Sequence, residues 1–387
     1  MNRLPAADWT QREDLAALVA ALGAENLRWV GGAVRDTLLG HPVKDIDAAT
    51  TLRPEQVVDL CAAAGIRTVP TGIAHGTVTA ILPGGNVEVT TLRRDVSTDG
   101  RRATVAFADD WREDAARRDF TINALYADPA TLEIFDFFGG QADLAARRVR
   151  FIGDARQRIA EDHLRILRYF RFQARFGGML DGEAEAACAD LANTLKGLSR
   201  ERVAMELLSL LALPDPASTV ERMQRLGVLP VVLPEADASA LAALVAHEQR
   251  LGAAPHALRR MAALLPRDAA LAEKVAARLK LSAAQKKHLA LCAGREESDA
   301  ANPRALAYRI GPDAARDRVL LAGGDPAVLD GWTIPELPLK GGEIVARGVG
   351  AGPEVARLLR AVEARWMAEG FPGRARVEEI LAEELAR

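Results

Sequence analysis

Aromatic side chains are only 5% of the 387 residues, too few for a row of stacking platforms along single-stranded RNA. Cysteine is scarcer: Cys61, Cys188 and Cys292 lie far apart with no Cys-x-x-Cys among them. That count argues against both a disulfide framework and a zinc site, and it points to a reducing cytosol. The six histidines form no His-Glu-x-x-His pair and no His-Asp dipeptide, so an appended metal phosphohydrolase domain is not expected. No stretch approaches the ~18 continuous apolar residues of a membrane helix, and the residues from Met1 to Leu15 lack an apolar signal core. A soluble cytoplasmic protein with no membrane partner is expected. Excess charge is absent too: 50 basic against 53 acidic residues leave a formal net charge of −3. An anionic partner must then be met by local basic patches. Lysine is confined to seven positions, a bias with little functional weight.

What remains is ordinary globular composition, 49% hydrophobic and 27% charged, in a chain long enough for two or three domains at ~150 residues each. The first 150 residues alternate helical runs (Arg12 to Leu22, Pro54 to Ala64) with strand-like stretches at Arg28 to Val30, Asp45 to Ala48, Thr77 to Leu82 and Asn86 to Leu92. Pro83-Gly84-Gly85 joins the last two as a hairpin turn would. From about Asp154 onward almost every window has helical period. There is no solenoid repeat and no low-complexity tail. The expected fold is α+β: a small mixed sheet with flanking helices, then an all-helical remainder.

Val30-Gly31-Gly32-Ala33-Val34-Arg35-Asp36 reads as a strand that turns on two glycines into a helix. Its free N–H groups suit a phosphate, with Gly32 at the approach and Arg35 adding a charge-assisted contact. Asp45 and Asp47 are two apart, so on a strand both carboxylates leave one face. Two such carboxylates repel unless a cation lies between them, and Mg²⁺ is the natural oxygen-seeking candidate. An isolated Asp-x-Asp is most often a solvated turn; the preceding glycine–arginine segment reverses that judgement. Glu88 offers a third acid, with Val87 and Val89 pointing to the opposite face. Three acids on adjacent strands suggest two-metal phosphoryl chemistry.

This set resembles the nucleotidyltransferase superfamily that includes DNA polymerase β, and within it the bacterial class II branch of CCA tRNA nucleotidyltransferases and poly(A) polymerases. Arg117-Arg118-Asp119-Phe120-Thr121-Ile122-Asn123, followed by Asp136 and Gly139-Gly140-Gln141-Ala142-Asp143-Leu144, looks like that branch's second signature. Its arginines, Arg118 above all, are placed to clamp a nucleotide. Glu161-Asp162-His163-Leu164-Arg165 continues to Arg168 and Arg171, acid and arginines recurring every three residues on what is expected to be one helix, and is similar to the helix that selects the incoming base. The resemblance implies that Asp162 accepts from the exocyclic amine of cytosine or adenine while Arg165 donates to the neighbouring ring acceptor. Guanine and uracil would leave Asp162 unpaired. Arg168 and Arg171 would then contact nucleotide or phosphates. Leu198 to Glu206 resembles the last helical motif and is read as structural, with Ser199 capping and Glu206 buttressing the preceding helix.

The resemblance implies a polymerase-β-like catalytic head over 1–150, a helical neck over 151–215, a body over 216–300 and a tRNA-binding tail over 301–387. Backbone N–H groups in the glycine-rich Leu339–Gly342 and Gly348–Pro353 would hold tRNA phosphates, or merely turn between helices. The implied activity is template-independent addition of CCA to tRNA 3′ ends from CTP and ATP with release of pyrophosphate, Asp45 and Asp47 holding Mg²⁺ and Glu88 the third acid. Poly(A) polymerase shares nearly all these parts, and partial enzymes adding only CC or only A are further alternatives. A non-catalytic RNA-binding protein on the same scaffold would be expected to have lost an acid or Arg118. Ser97 to Asp110 has turn composition and is expected as a mobile loop of the kind that accompanies the switch to ATP. His75 matches the family pattern, its role left open.

Overall fold

The computed structural model describes residues 2–73, 76–98, 103–108 and 110–386. They form two compact units, Met1–Leu210 with Ser218–Pro234, and Leu211–Ala217 with Glu235–Arg387.

The first unit is built on nine short strands: β1 Leu27–Val30, β2 Ile46–Thr50, β3 Arg67–Gly72, β4 Thr77–Ile81, β5 Val87–Thr91, β6 Arg93–Thr98, β7 Ala103–Phe107, β8 Leu125–Ala127 and β9 Ile134–Asp136. Seven form one sheet in the order β3-β4-β5-β2-β1-β8-β9. Its neighbours are antiparallel except β2 and β5, which run parallel. The expected small mixed sheet is therefore present, including the β4–β5 hairpin through Pro83–Gly85. Strands β3, β8 and β9 were not expected; the last two have three residues each, too short for alternation to show. The expected mobile loop is corrected in its arms. β6 and β7 pair antiparallel, because Ala103-Thr104-Val105-Ala106-Phe107 is a β-prone run. Residues 99–102 and 109, like His75, lie outside the described residues.

Scarce aromatics are concentrated beneath the sheet's working end. The helix Arg165–Phe176 buries Ile166, Leu167, Tyr169, Phe170, Phe172 and Phe176. Phe120 lies 4.9 Å from Phe151 and 5.2 Å from Phe172 between ring centroids, and Phe151 stacks on Tyr169 at 5.8 Å. Each such ring contributes roughly 1.5–3 kcal/mol by burial. Together they fasten the Arg117–Phe120 segment to that helix. A tight approach secures the same region from the other side: a side chain at Gly140 would begin 2.3 Å from the Thr121 carbonyl oxygen, so only glycine fits.

In the second unit the described residues contain no strand, as the periodicity predicts. One core gathers Leu358, Val362, Trp366, Val377, Ile380 and Leu381 from the helices Pro353–Ala368 and Arg374–Leu385. Another part of the unit buries charge: Glu248 accepts from both Arg259 and Arg260, all three almost fully enclosed. No helix among the described residues is long and apolar enough to cross a membrane.

Candidate active site

Strand β1 ends at Val30, and Gly31 turns the chain at φ 72° into the helix Gly32–Leu38. That left-handed value is what the glycine pair serves. Next to it in the sheet, Asp47 of β2 stands opposite Val30 on one side and Glu88 of β5 on the other. Residues paired across adjacent strands share a face, so register alone brings Asp47 and Glu88 together. Asp45 precedes β2 by one residue and is exposed. Glu88 is exposed while Val87 and Val89 are buried, the alternation expected of this strand.

The acids feel one another. Asp47 is half-buried, and its pKa is raised first by burial, then by the negative charges of Glu88 and Asp45, with Arg118 opposing. This is a carboxylate cluster short of positive charge, which a divalent cation would relieve. The oxygens of the three acids do not all lie within 4.8 Å of one another.

Arg118 faces the acids from the loop after the helix Trp111–Ala116. Its Nη1 lies 3.6 Å from where a Cβ on Gly31 would stand. Its Nε donates to the Tyr126 hydroxyl at 3.1 Å, and its Nη2 to Asp114 Oδ2 at 3.1 Å. Burial alone would lower its pKa; the Tyr126 hydroxyl and the Asp114 carboxylate outweigh that and hold it firmly cationic. Asp114 also accepts from Arg117 Nε at 2.8 Å and from the Tyr126 hydroxyl at 2.7 Å. Sequence reasoning missed Asp114 and Tyr126. A signal for Asp114 was present, since it stands three and four residues before the arginine pair on a helical segment.

The segment from Arg158 to Arg165 is bonded to the Arg117–Arg118 backbone. Arg165 Nη2 donates to the Arg117 carbonyl at 3.2 Å, and Arg158 Nη2 to the Arg118 carbonyl at 2.7 Å. The expectation that Asp162, Arg165, Arg168 and Arg171 share one helix needs correction. Asp162 is the extended residue ending the helix Ala155–Glu161, and the next helix begins at Arg165. The Asp162 carboxylate accepts from the Leu164 N–H at 3.1 Å, a local turn that helical backbone would not allow. It also accepts from Arg202 Nη2 at 2.8 Å. Arg165 is held by Glu161 Oε2 at 2.6 Å and the Arg158 carbonyl at 2.7 Å.

Three further arginines have their donors committed inside the fold. Arg35 is 5% exposed and donates to Asp36 Oδ1 and Asn123 Oδ1. Arg168 donates to Asp119 Oδ2 at 2.8 Å. Arg171 donates to the buried Glu206 at 2.6 Å, so Glu206 does buttress the preceding helix. Ser199 Oγ accepts from the Arg202 N–H at 3.4 Å at the start of the helix Arg200–Leu211. Asp136 caps its own loop by accepting from the N–H groups of Gly140 and Gln141.

Residues 27–150 match the Poly A polymerase head domain, and residues 179–239 match the probable RNA and SrmB-binding site of polymerase A. The mitochondrial CCA tRNA nucleotidyltransferase 1 of Mus musculus is 36% identical over 393 aligned positions, covering 96% of this chain and 89% of the mouse protein. The chain belongs to the CCA tRNA nucleotidyltransferase family. Bacterial relatives align over about half of the chain: the CCA-adding enzyme of Leuconostoc citreum is 42% identical over 185 residues, 47% of this chain and 45% of its own. The fold extends over nearly the whole chain. The crystal structure of the Bacillus stearothermophilus CCA-adding enzyme in complex with CTP superposes with a TM-score of 0.77 at 26% identity, covering 97% of this chain and 98% of that one. Members of this family are nucleotidyltransferases that use divalent metal ions, and the protein is an enzyme of that kind.

Proposed function

We propose that the protein adds CCA to the 3′ ends of tRNA from CTP and ATP, releasing pyrophosphate. The observation that carries this is the pairing of Asp47 with Glu88 across β2 and β5, with the Arg118 charge acting on Asp47 and Arg165 bonded to the neighbouring Arg117 carbonyl.

Asp45 and Asp47 are the residues that would hold Mg²⁺, with Glu88 as the third acid; a half-buried Asp47 that feels the negative charges of Glu88 and Asp45 fits such an ion. When bound, the ion supplies charge neutralisation of the triphosphate and activation of the tRNA 3′ hydroxyl, so no protein nucleophile is required. Arg118 clamps the nucleotide's phosphates next to the Gly31–Gly32 turn, where the backbone can approach closely. Asp162 accepts from the base's exocyclic amine and Arg165 donates to the ring acceptor beside it. Arg35, Arg168 and Arg171 enter the reading as residues that contact nucleotide or phosphates and that, like Arg165, also hold partners within the protein.

The order head 1–150, neck 151–215, body 216–300 and tail 301–387, with tRNA held by the helical part, belongs to the same proposal. So does placement in the bacterial class II branch, supported by the 42% identity to a bacterial enzyme over 185 residues. Three buried free thiols suit a reducing compartment such as the cytoplasm.

The test is to sequence the 3′ ends formed on tRNA ending before C, after C and after CC, with CTP and ATP supplied singly and together. CCA is expected only with both nucleotides. Long adenylate tails would make it a poly(A) polymerase, and arrest after CC or addition of A alone would make it a partial enzyme. Asp45→Ala is expected to bind tRNA and add nothing; retained turnover would show the acids wrongly assigned.

A further inference from the structure

Three helices of the second unit converge on a cluster that the nucleotidyl-transfer chemistry does not use. His256 stands at the N-terminal boundary of the helix Ala257–Leu264, His288 lies in Ala283–Ala293, and Asp317 in Pro312–Leu321. His256 Nδ1 is 2.5 Å and His288 Nε2 2.8 Å from one and the same oxygen, Asp317 Oδ2. The imidazole rings meet edge to face with centroids 5.0 Å apart. Among the described residues this is the one set of three histidine, cysteine or acidic side chains whose ligand atoms all lie within 4.8 Å of one another.

We propose that His256, His288 and Asp317 form a zinc site that pins these three helices together. Two imidazole nitrogens and one carboxylate oxygen are a donor set suited to Zn²⁺, whereas Mg²⁺ takes oxygen almost exclusively. The carboxylate is already oriented as a metal ligand's is: Arg259 Nη1 donates to its other oxygen, Oδ1, at 2.7 Å. Arg259 is in turn fixed by Glu248 Oε1 at 2.6 Å and the Ala254 carbonyl at 2.6 Å. Such supporting contacts typically accompany metal-binding side chains. The site is open on one side only, with the His256 side chain 42% exposed, His288 20% and Asp317 6%. An ion enters past His256 and completes its tetrahedron with water. On the inner side, the Cys292 thiol, one turn beyond His288 on the same helix, stands 3.9 Å from Asp317 Oδ2. Binding exchanges the two hydrogen bonds to Oδ2 for three metal–ligand bonds.

The experiment uses the full chain, stripped with chelator and titrated with ZnCl₂ by calorimetry in excess Mg²⁺, which occupies oxygen-only sites. One Zn²⁺ per chain is expected, with a rise in melting temperature. Asp45→Ala should keep that equivalent, because the catalytic acids are not its ligands. His256→Gln and His288→Gln should each lose about 100-fold or more in zinc affinity. Both variants should retain the wild-type zinc-free melting temperature to within a few degrees and full Mg²⁺-dependent nucleotide addition. Gln at position 256 leaves a donor for Asp317, so the zinc-free fold is preserved and the comparison stays readable. No zinc uptake by the wild type would overturn the proposal and leave the three side chains a hydrogen-bonded hub. Uptake undiminished in either variant, or abolished in Asp45→Ala, would overturn it as well.

Discussion

Asp114 supports Arg118, the proposed nucleotide clamp, and replacing it by Asn separates charge from shape. The carboxylate is 1% exposed. Oδ1 accepts from the Arg93 N–H and Arg117 Nε, and Oδ2 from Arg118 Nη2 and the Tyr126 hydroxyl. Burial lifts its pKa, but the charges of Arg118 and Arg117 and the Tyr126 hydrogen bond bring it down from 3.8 to about 2. At roughly 1.4 kcal/mol per pH unit, that preference for the ionised form contributes about 2.5 kcal/mol to folding at neutral pH. Because this pKa is depressed in the fold, the contribution is complete above the unfolded value near 4 and disappears as pH falls through 4 toward 2. Asn cannot ionise, and its NH₂ meets donors on at least one side, so Asp114→Asn should lose about 3 kcal/mol at pH 7. For a unit of this size that lowers melting by about 6–12 °C. Measured by denaturant unfolding, the gap to wild type should be flat between pH 8 and pH 5 and narrow below pH 4. With Arg118 no longer held, kcat/KM for CTP should fall at least ~10-fold while tRNA binding persists. A gap under about 1 kcal/mol at pH 7, or one that does not narrow in acid, would refute the assigned role.

Asp162→Ala removes the amine acceptor at a site 31% exposed, so stability should change little. The preference for CTP over UTP in kcat/KM should drop about 10- to 100-fold, the worth of one good base contact; competition between the two nucleotides in the addition assay measures it directly. In the second unit, Trp366 is 1% exposed, stands edge-on to Phe371 at 4.9 Å and donates through Nε1 to the Pro372 carbonyl at 2.8 Å. Trp366→Ala should cost about 3–5 kcal/mol in that unit, seen as a lowered transition in calorimetry, while CTP should still stabilise the first unit.

The acid face was legible in part because strand alternation has period two: Val87 and Val89 inward puts Glu88 outward, whereas Asp45 lies just before β2, where that rule no longer fixes its side. Which strands lie next to each other was not legible. The parallel pairing of β2 with β5, which sets Glu88 beside Asp47, depends on long-range packing that no local pattern encodes. Strands β8 and β9 escaped for a related reason. Three residues carry almost no periodic signal, yet β8 supplies Tyr126 to the clamp.

The helical period misled at Asp162. Acid and arginines recur every three residues, which looks like one continuous helix, but the aspartate's carboxylate competes with helical backbone by taking the Leu164 N–H. The break matters for chemistry. A residue inside a helix has its side chain fixed along the cylinder, whereas Asp162, extended between two helices, is aimed by its partners. Those are Leu164 in its own turn and Arg202 forty residues away. Arg202 thus occupies an oxygen that the proposed reading gives to the base amine. Recognition of cytosine or adenine then exchanges one hydrogen bond for another. A base lacking the amine offers nothing in return, and this places the discrimination in the exchange itself rather than in the shape of a pocket.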